Sequence, residues 1–157
     1  MSDVIGTIYG DDRVEARITG MADKVRGILK VAMEREWFAL QAHVVQDKLS
    51  GQVLRRRTGV LASSINVGGA DSATEFLESP TELVGRVGTK VWYGRIHEFG
   101  GTFEVKEHSR TVDGRESTVK AHTVTFPERS FLRSGLVDRT SSIRDSIQSA
   151  VQYAMAQ

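Results

Sequence analysis

Apolar positions step by four, four, four, three and four along Val25, Leu29, Met33, Trp37, Leu40 and Val44, the spacing of one face of an α-helix. The pattern predicts a helix from about Met21 to Leu49, about 40 Å long at 1.5 Å per residue. A second apolar row, Phe38, Ala42, Val45 and Leu49, lies on a neighbouring face. A helix resting on one small sheet needs only one such stripe. The second is read either as contact with a C-terminal helix or as a subunit interface through Phe38, Ala42 and Val45. Upstream, Val4 to Tyr9 reads as a strand and Gly10-Asp11-Asp12 as a turn. Arg13 to Ile18 alternates, with Val14, Ala16 and Ile18 on one face. An N-terminal hairpin is expected there.

After Gly51, Thr58 is a plausible N-cap for a short helix carrying Val60 and Leu61. Strand patterns follow at Ile65 to Gly69, Ala73 to Leu77 and Leu83 to Thr89, with Ser79-Pro80-Thr81-Glu82 as a turn. This reads as a short antiparallel meander. In the stretch Val87 to Gly101, Trp92, Ile96 and Phe99 fall at i, i+4 and i+7 of a short helix with Tyr93 beside them, and Gly100-Gly101 ends it. The cluster is expected in the core.

Residues 102–126 form a second hairpin about Asp113-Gly114, a strong two-residue turn signal. Counting outward places Phe103 opposite Val124, Val105 opposite His122 and Glu107 opposite Lys120. Arms of this length would reach about 35 Å, so the hairpin is read as a projection that contacts a partner or lines the DNA channel through a polar tip that includes Arg110, Asp113 and Arg115. The competing reading is two ordinary strands of the main sheet. The last helix carries Leu136, Ile143, Ile147, Val151 and Met155. The expected fold is α+β: a small antiparallel sheet packed by a long N-terminal helix and a C-terminal helix, in a single domain, 1–157, with residues 102–126 inserted as an arm.

Composition changes little in this picture. The chain has 157 residues, a net charge of +1 and no cysteine. Disulfides and thiolate zinc sites are excluded. No apolar run approaches a membrane span of about 18 residues. The Met-Ser-Asp-Val start lacks signal-peptide features, so assembly in a cytoplasm is expected. The Arg55-Arg56-Arg57 run could meet phosphate, form a solvated loop, or make a rim for an acidic partner. No catalytic set is evident. His97-Glu98 begins like a zinc-protease helix, but that pattern needs a second histidine at position 101, which is Gly. His43, His108 and His122 are scattered. No enzyme activity, metal or cofactor is expected.

Three blocks, taken in order, resemble a known family. The first is Thr58, Gly59, Leu61, Ser64 and Ile65. The second is Val87, Gly88 and Thr89, followed by Tyr93, Glu98, Phe99 and Gly100. The third is Pro127, Arg129, Phe131 and Leu132. Their order and spacing resemble the tail-completion (neck) proteins of tailed bacteriophages. That family is similar in outline to the minor tail protein Z of phage lambda and the virion-morphogenesis proteins of Mu-like phages. Gly94 and Ser130 stand where that family usually carries Ala and Pro. The resemblance implies a structural virion protein at the head–tail junction, assembled in the host cytoplasm. It implies a homo-oligomeric ring, expected to be hexameric, around the DNA channel. Its neighbours would be the tail terminator or tail-tube protein and the head-completion or connector proteins. Packaged DNA would pass through the lumen without sequence recognition. A tail terminator capping the tube and a small DNA-binding module using the arginine run are the alternatives.

Overall fold

The computed structural model describes residues 11–112 and 114–156. The fold is α+β, with long helices near both ends and antiparallel hairpins between them. The order is α1 (Asp11–His43), a π-helical continuation (Val44–Gln52), α2 (Val60–Ser64), β1 (Glu75–Ser79), β2 (Glu82–Arg86) and α3 (Trp92–Phe99). Then come β3 (Gly101–Val105), β4 (His108–Val112), β5 (Arg115–Val119), β6 (His122–Phe126) and α4 (Leu132–Met155). The strands pair as three two-stranded antiparallel ladders: β1 with β2, β3 with β6 and β4 with β5.

The chain divides into two compact units, Met1–Glu36 with Ser141–Gln157, and Trp37–Thr140. In the first, Arg35 donates to Ser146 Oγ at 2.8 Å and Ala154 is buried. The expected strand at 13–18 is helical instead. Val14, Ile18, Met21 and Val25 continue the helical stripe in steps of four, three and four, so the six-residue alternation was a fragment of a longer helical period. The expected strand Val4–Tyr9 and Gly10 lie outside the described residues.

The second unit holds a core of Val44, Leu49, Leu54, Ala62, Ile65 and Phe131, with Leu40, Val45, Val53, Leu61, Val87 and Leu132 packed against it. From Val44 the helix widens to π spacing. It ends where Ser50 and Gly51 leave helical dihedrals, Gly51 at φ +127°. The wider turn carries Lys48 inward, where its Nζ meets Asp138 at 2.5 Å. His43 bridges Asp47 (2.6 Å) and Asp138 (3.2 Å). This polar cluster ties the π segment to α4. Trp37 packs on the β1–β2 hairpin. Its indole N–H donates to the Arg86 carbonyl at 2.8 Å, and its ring lies 5.5 Å from that of Phe76.

Several expectations need correction. The cap of α2 is Gly59 at φ +81°, and Thr58 Oγ1 accepts only a long 3.5 Å bond from the Val60 amide. Residues 65–69 are consecutive turns rather than a strand, with the Asn66 amide bonding Ser63 and the Gly69 amide bonding Asn66. Leu136 and Met155 of the C-terminal stripe are exposed. The arm register is as counted: Phe103 opposes Val124 and Val105 opposes His122. Val112 opposes Arg115, which leaves a two-residue connection whose Gly114 has φ +75°. Asp113 itself lies outside the described residues.

Phe131 is fully buried at the centre of the core. Phe131→Ala is expected to lower unfolding stability by about 3–5 kcal/mol, measured by urea denaturation.

Candidate functional site

The second unit brings the three sequence blocks together at α3. This helix starts after Val91, whose amide donates to Thr89 Oγ1 at 3.0 Å. Ser64 donates to the Leu61 carbonyl at 2.8 Å, so its single proton is used there. In the 2.7 Å contact between the two hydroxyls, Thr89 is therefore the donor and Ser64 the acceptor. The first and second blocks are joined by this pair.

Gly94 is buried one turn into α3. A Cβ at this position would stand 2.9 Å from Thr89 Cγ2, 3.2 Å from Leu61 Cδ1 and 4.0 Å from Phe131 Cζ. Contact this close is the physical reason for Gly where Ala would otherwise serve.

Glu98, only 5% exposed, sits four residues further on the same face. Its Oε2 accepts from the amides of Phe131 (2.8 Å) and Leu132 (2.9 Å). Its Oε1 accepts from Ser130 Oγ (2.7 Å) and the Arg133 amide (2.9 Å). The first amides of a helix have no intrahelical partner. Here a carboxylate from a distant helix satisfies three of them and adds a negative charge at the positive end of the α4 dipole. Ser130 supplies the fourth donor. The Arg129 amide bonds the His97 carbonyl at 2.8 Å, and Arg133 lies 5.6 Å over the Phe99 ring. Gly100, at φ +64°, carries the chain past Glu128 where a Cβ would stand 2.7 Å from its amide nitrogen.

The aromatic stripe of α3 is not in the core. With Gly94 and Glu98 facing inward, Trp92 and Phe99 fall on the opposite side, 75% and 63% exposed. Together with Ile96 and Phe103 they line a shallow apolar hollow.

A separate cavity of about 790 Å³ has Leu49, Leu54, Leu61 and Ala62 as its floor. Arg55, Arg56, Arg57 and Arg129 form its rim, with Tyr93 and His97 on one wall. No carboxylate lines it among the described residues. Burial of His97, and then the charge of Arg129, hold the imidazole below its usual pKa. The predicted contact residues Arg110 and Arg115 are exposed on β4 and β5 and are not among the residues that line this cavity. Of the candidate interface residues, Phe38 is 55% exposed, whereas Val45 packs against the chain's own core.

Among the described residues no group of three or more acidic, histidine or cysteine side chains could hold a metal ion. No helix there is long and apolar enough to cross a membrane. The buried carboxylate, the cavity and the Lys48–Asp138 pair escaped sequence reasoning.

Glu98→Ala leaves the buried Phe131 amide, two part-buried amides and a hydroxyl without an acceptor. A loss of about 3 kcal/mol or more is expected in chemical denaturation, with faster hydrogen exchange at residues 131–133. Glu98→Gln, which retains an acceptor oxygen, should lose less. Because the folded-state pKa of His97 is depressed, the native state binds its proton less readily than the unfolded chain. Stability from this group is present at neutral pH and is lost as pH falls below about 6.5. His97→Gln should flatten the melting-temperature profile between about pH 5 and 7.

Comparison with protein-family models, with curated proteins and with solved structures finds no match.

Proposed function

We propose that this chain is a structural component of a tailed bacteriophage particle, a tail-completion or neck protein. It acts at the head–tail junction as a homo-oligomeric ring, expected to have six members, around the DNA channel. Its partners are copies of itself, the tail-tube or terminator protein on one side and the head connector on the other. DNA passes through without being read, and the protein catalyses nothing.

The observation that carries this reading is the convergence of the three family-like blocks. Ser64 meets Thr89, Gly94 meets Leu61 and Phe131, and Glu98 caps the helix that opens at Leu132. Residues that resemble one family in order and spacing thus form one hydrogen-bonded unit. The broad apolar exposure at Phe38, Trp92, Phe99 and Val137 suits a subunit of a larger assembly better than a free monomer. A DNA-binding role is the second reading, favoured by the four arginines around the basic cavity.

Light scattering, alone and after mixing with tail-tube and connector proteins, followed by negative-stain imaging, tests the proposal. Rings of six are expected, and the partner that promotes them separates neck from terminator. A protein that stays monomeric with every partner and binds DNA overturns the ring. Phe38→Asp should change stability by under about 0.5 kcal/mol, because the side chain is exposed. It should weaken assembly about tenfold or more if this stripe is at the interface.

A further inference from the structure

One stretch of the second unit is acidic throughout. From Thr58 to Gly85 the sequence has four carboxylates, Asp71, Glu75, Glu78 and Glu82, and no basic residue. This stretch holds all of the β1–β2 hairpin but its last residue, Arg86. The basic cavity lies elsewhere in the same unit, with four guanidinium groups around an apolar floor.

The hairpin has two unlike faces. Strand pairing puts Leu77 opposite Val84, Glu75 opposite Arg86 and Ser79 opposite Glu82. Alternation along each strand places these six on one face. The other face carries Phe76 and Gly85 and packs on Trp37. The first face is therefore the outer one. Leu77 is 40% exposed there, beside half-buried Val84. Glu75 is neutralised by Arg86 at 2.7 Å. Glu82 is exposed at the tip and has no ion-pair partner among the described residues.

We propose that the outer face of the β1–β2 hairpin of one copy docks into the arginine-rimmed cavity of the next, forming the head-to-tail contact of the ring. The inference rests on the ring reading above. A cyclic assembly needs two different, complementary patches on each subunit, and these two match in chemistry. The Leu77–Val84 pair fits the apolar floor of Leu49, Leu54 and Leu61. The Glu82 carboxylate at the hairpin tip meets the guanidinium rim, where fork-shaped donors suit it. The phosphates of a DNA strand could reach the rim but would leave the apolar floor unfilled. Opposite patches on one chain also set direction, since like patches of two copies repel.

Charge reversal in the full-length chain tests this. One variant carries Arg55→Glu, Arg56→Glu and Arg57→Glu; the other carries Glu75→Arg and Glu82→Arg, both on the outer face of the hairpin. All five positions are exposed, and thermal melting confirms that each variant folds. Wild type is expected to assemble to about six times the 17.3 kDa chain mass. Each variant alone should stay monomeric at concentrations about tenfold above those at which wild type assembles. Mixed one to one they should form rings again, because each reversed patch meets a complementary one. If wild type assembles and the variants do so equally well, the docking site is wrong while the ring stands. If both variants are monomeric and mixing fails to restore assembly, the pairing of these two patches is wrong. If wild type never assembles, with or without tail-tube and connector proteins, both the ring and this contact fall. If wild type remains monomeric and binds a 30-base-pair duplex, with affinity lost in the triple arginine variant, the cavity is a phosphate site and the proposal is overturned.

Discussion

The second unit depends on one buried carboxylate. An ionised group taken out of water is strongly disfavoured unless its oxygens are fully bonded. Glu98 is acceptable because three backbone amides and a hydroxyl converge on it. The dependence runs both ways. Without Glu98 the first turn of α4 would have unsatisfied donors beside a fully buried Phe131. Without that turn, α3 would carry an unpaired charge into the core. The two elements therefore specify each other's position more tightly than apolar packing alone could, because a carboxylate accepts bonds in defined directions.

Much of the remaining geometry follows from that anchor. If Glu98 faces inward, the residue four earlier must too, and only Gly fits against Thr89 and Leu61. The residues on the other side of an eight-residue helix must then face outward, even when they are Trp and Phe. Hydrophobicity alone would have turned α3 the other way. Burying two aromatic rings stabilises by several kcal/mol, but it would strand Glu98 in solvent and leave the α4 terminus uncapped within a closed core. The polar requirement decides the rotation of the helix.

This explains which features were legible in the sequence. The long helical stripe, the Asp-Gly connection and the arm register at Phe103–Val124 rest on local period and turn chemistry, and both appear in the residues themselves. The rotation of α3 rests on a bond to residues 32 to 35 positions away, and a hydrophobic stripe carries no record of it. Burial of Lys48 depends on a widened helical turn and on Asp138, ninety residues later. The apparent strand at 13–18 failed for a simpler reason. Six alternating residues satisfy two periods, and only the longer register through Met21 and Val25 separates them.

The same geometry separates scaffold from contact surface. Ser64, Thr89, Gly94, Glu98, Phe131 and Leu132 direct their bonds or packing into the chain's own core. They have little left to offer a partner. Any partner must be met by residues the scaffold leaves outside: Trp92 and Phe99 on the outer side of α3, the arginines at 55–57, and the acidic hairpin. These are positions where related scaffolds could diverge without disturbing the junction. The cavity lies at the boundary of the two sets. Its floor includes core residues such as Leu49 and Leu54, and its rim is exposed arginine. A ligand there would therefore rest against the scaffold itself, which makes it a firmer seat for a neighbouring chain than the polar tip of the 102–126 arm.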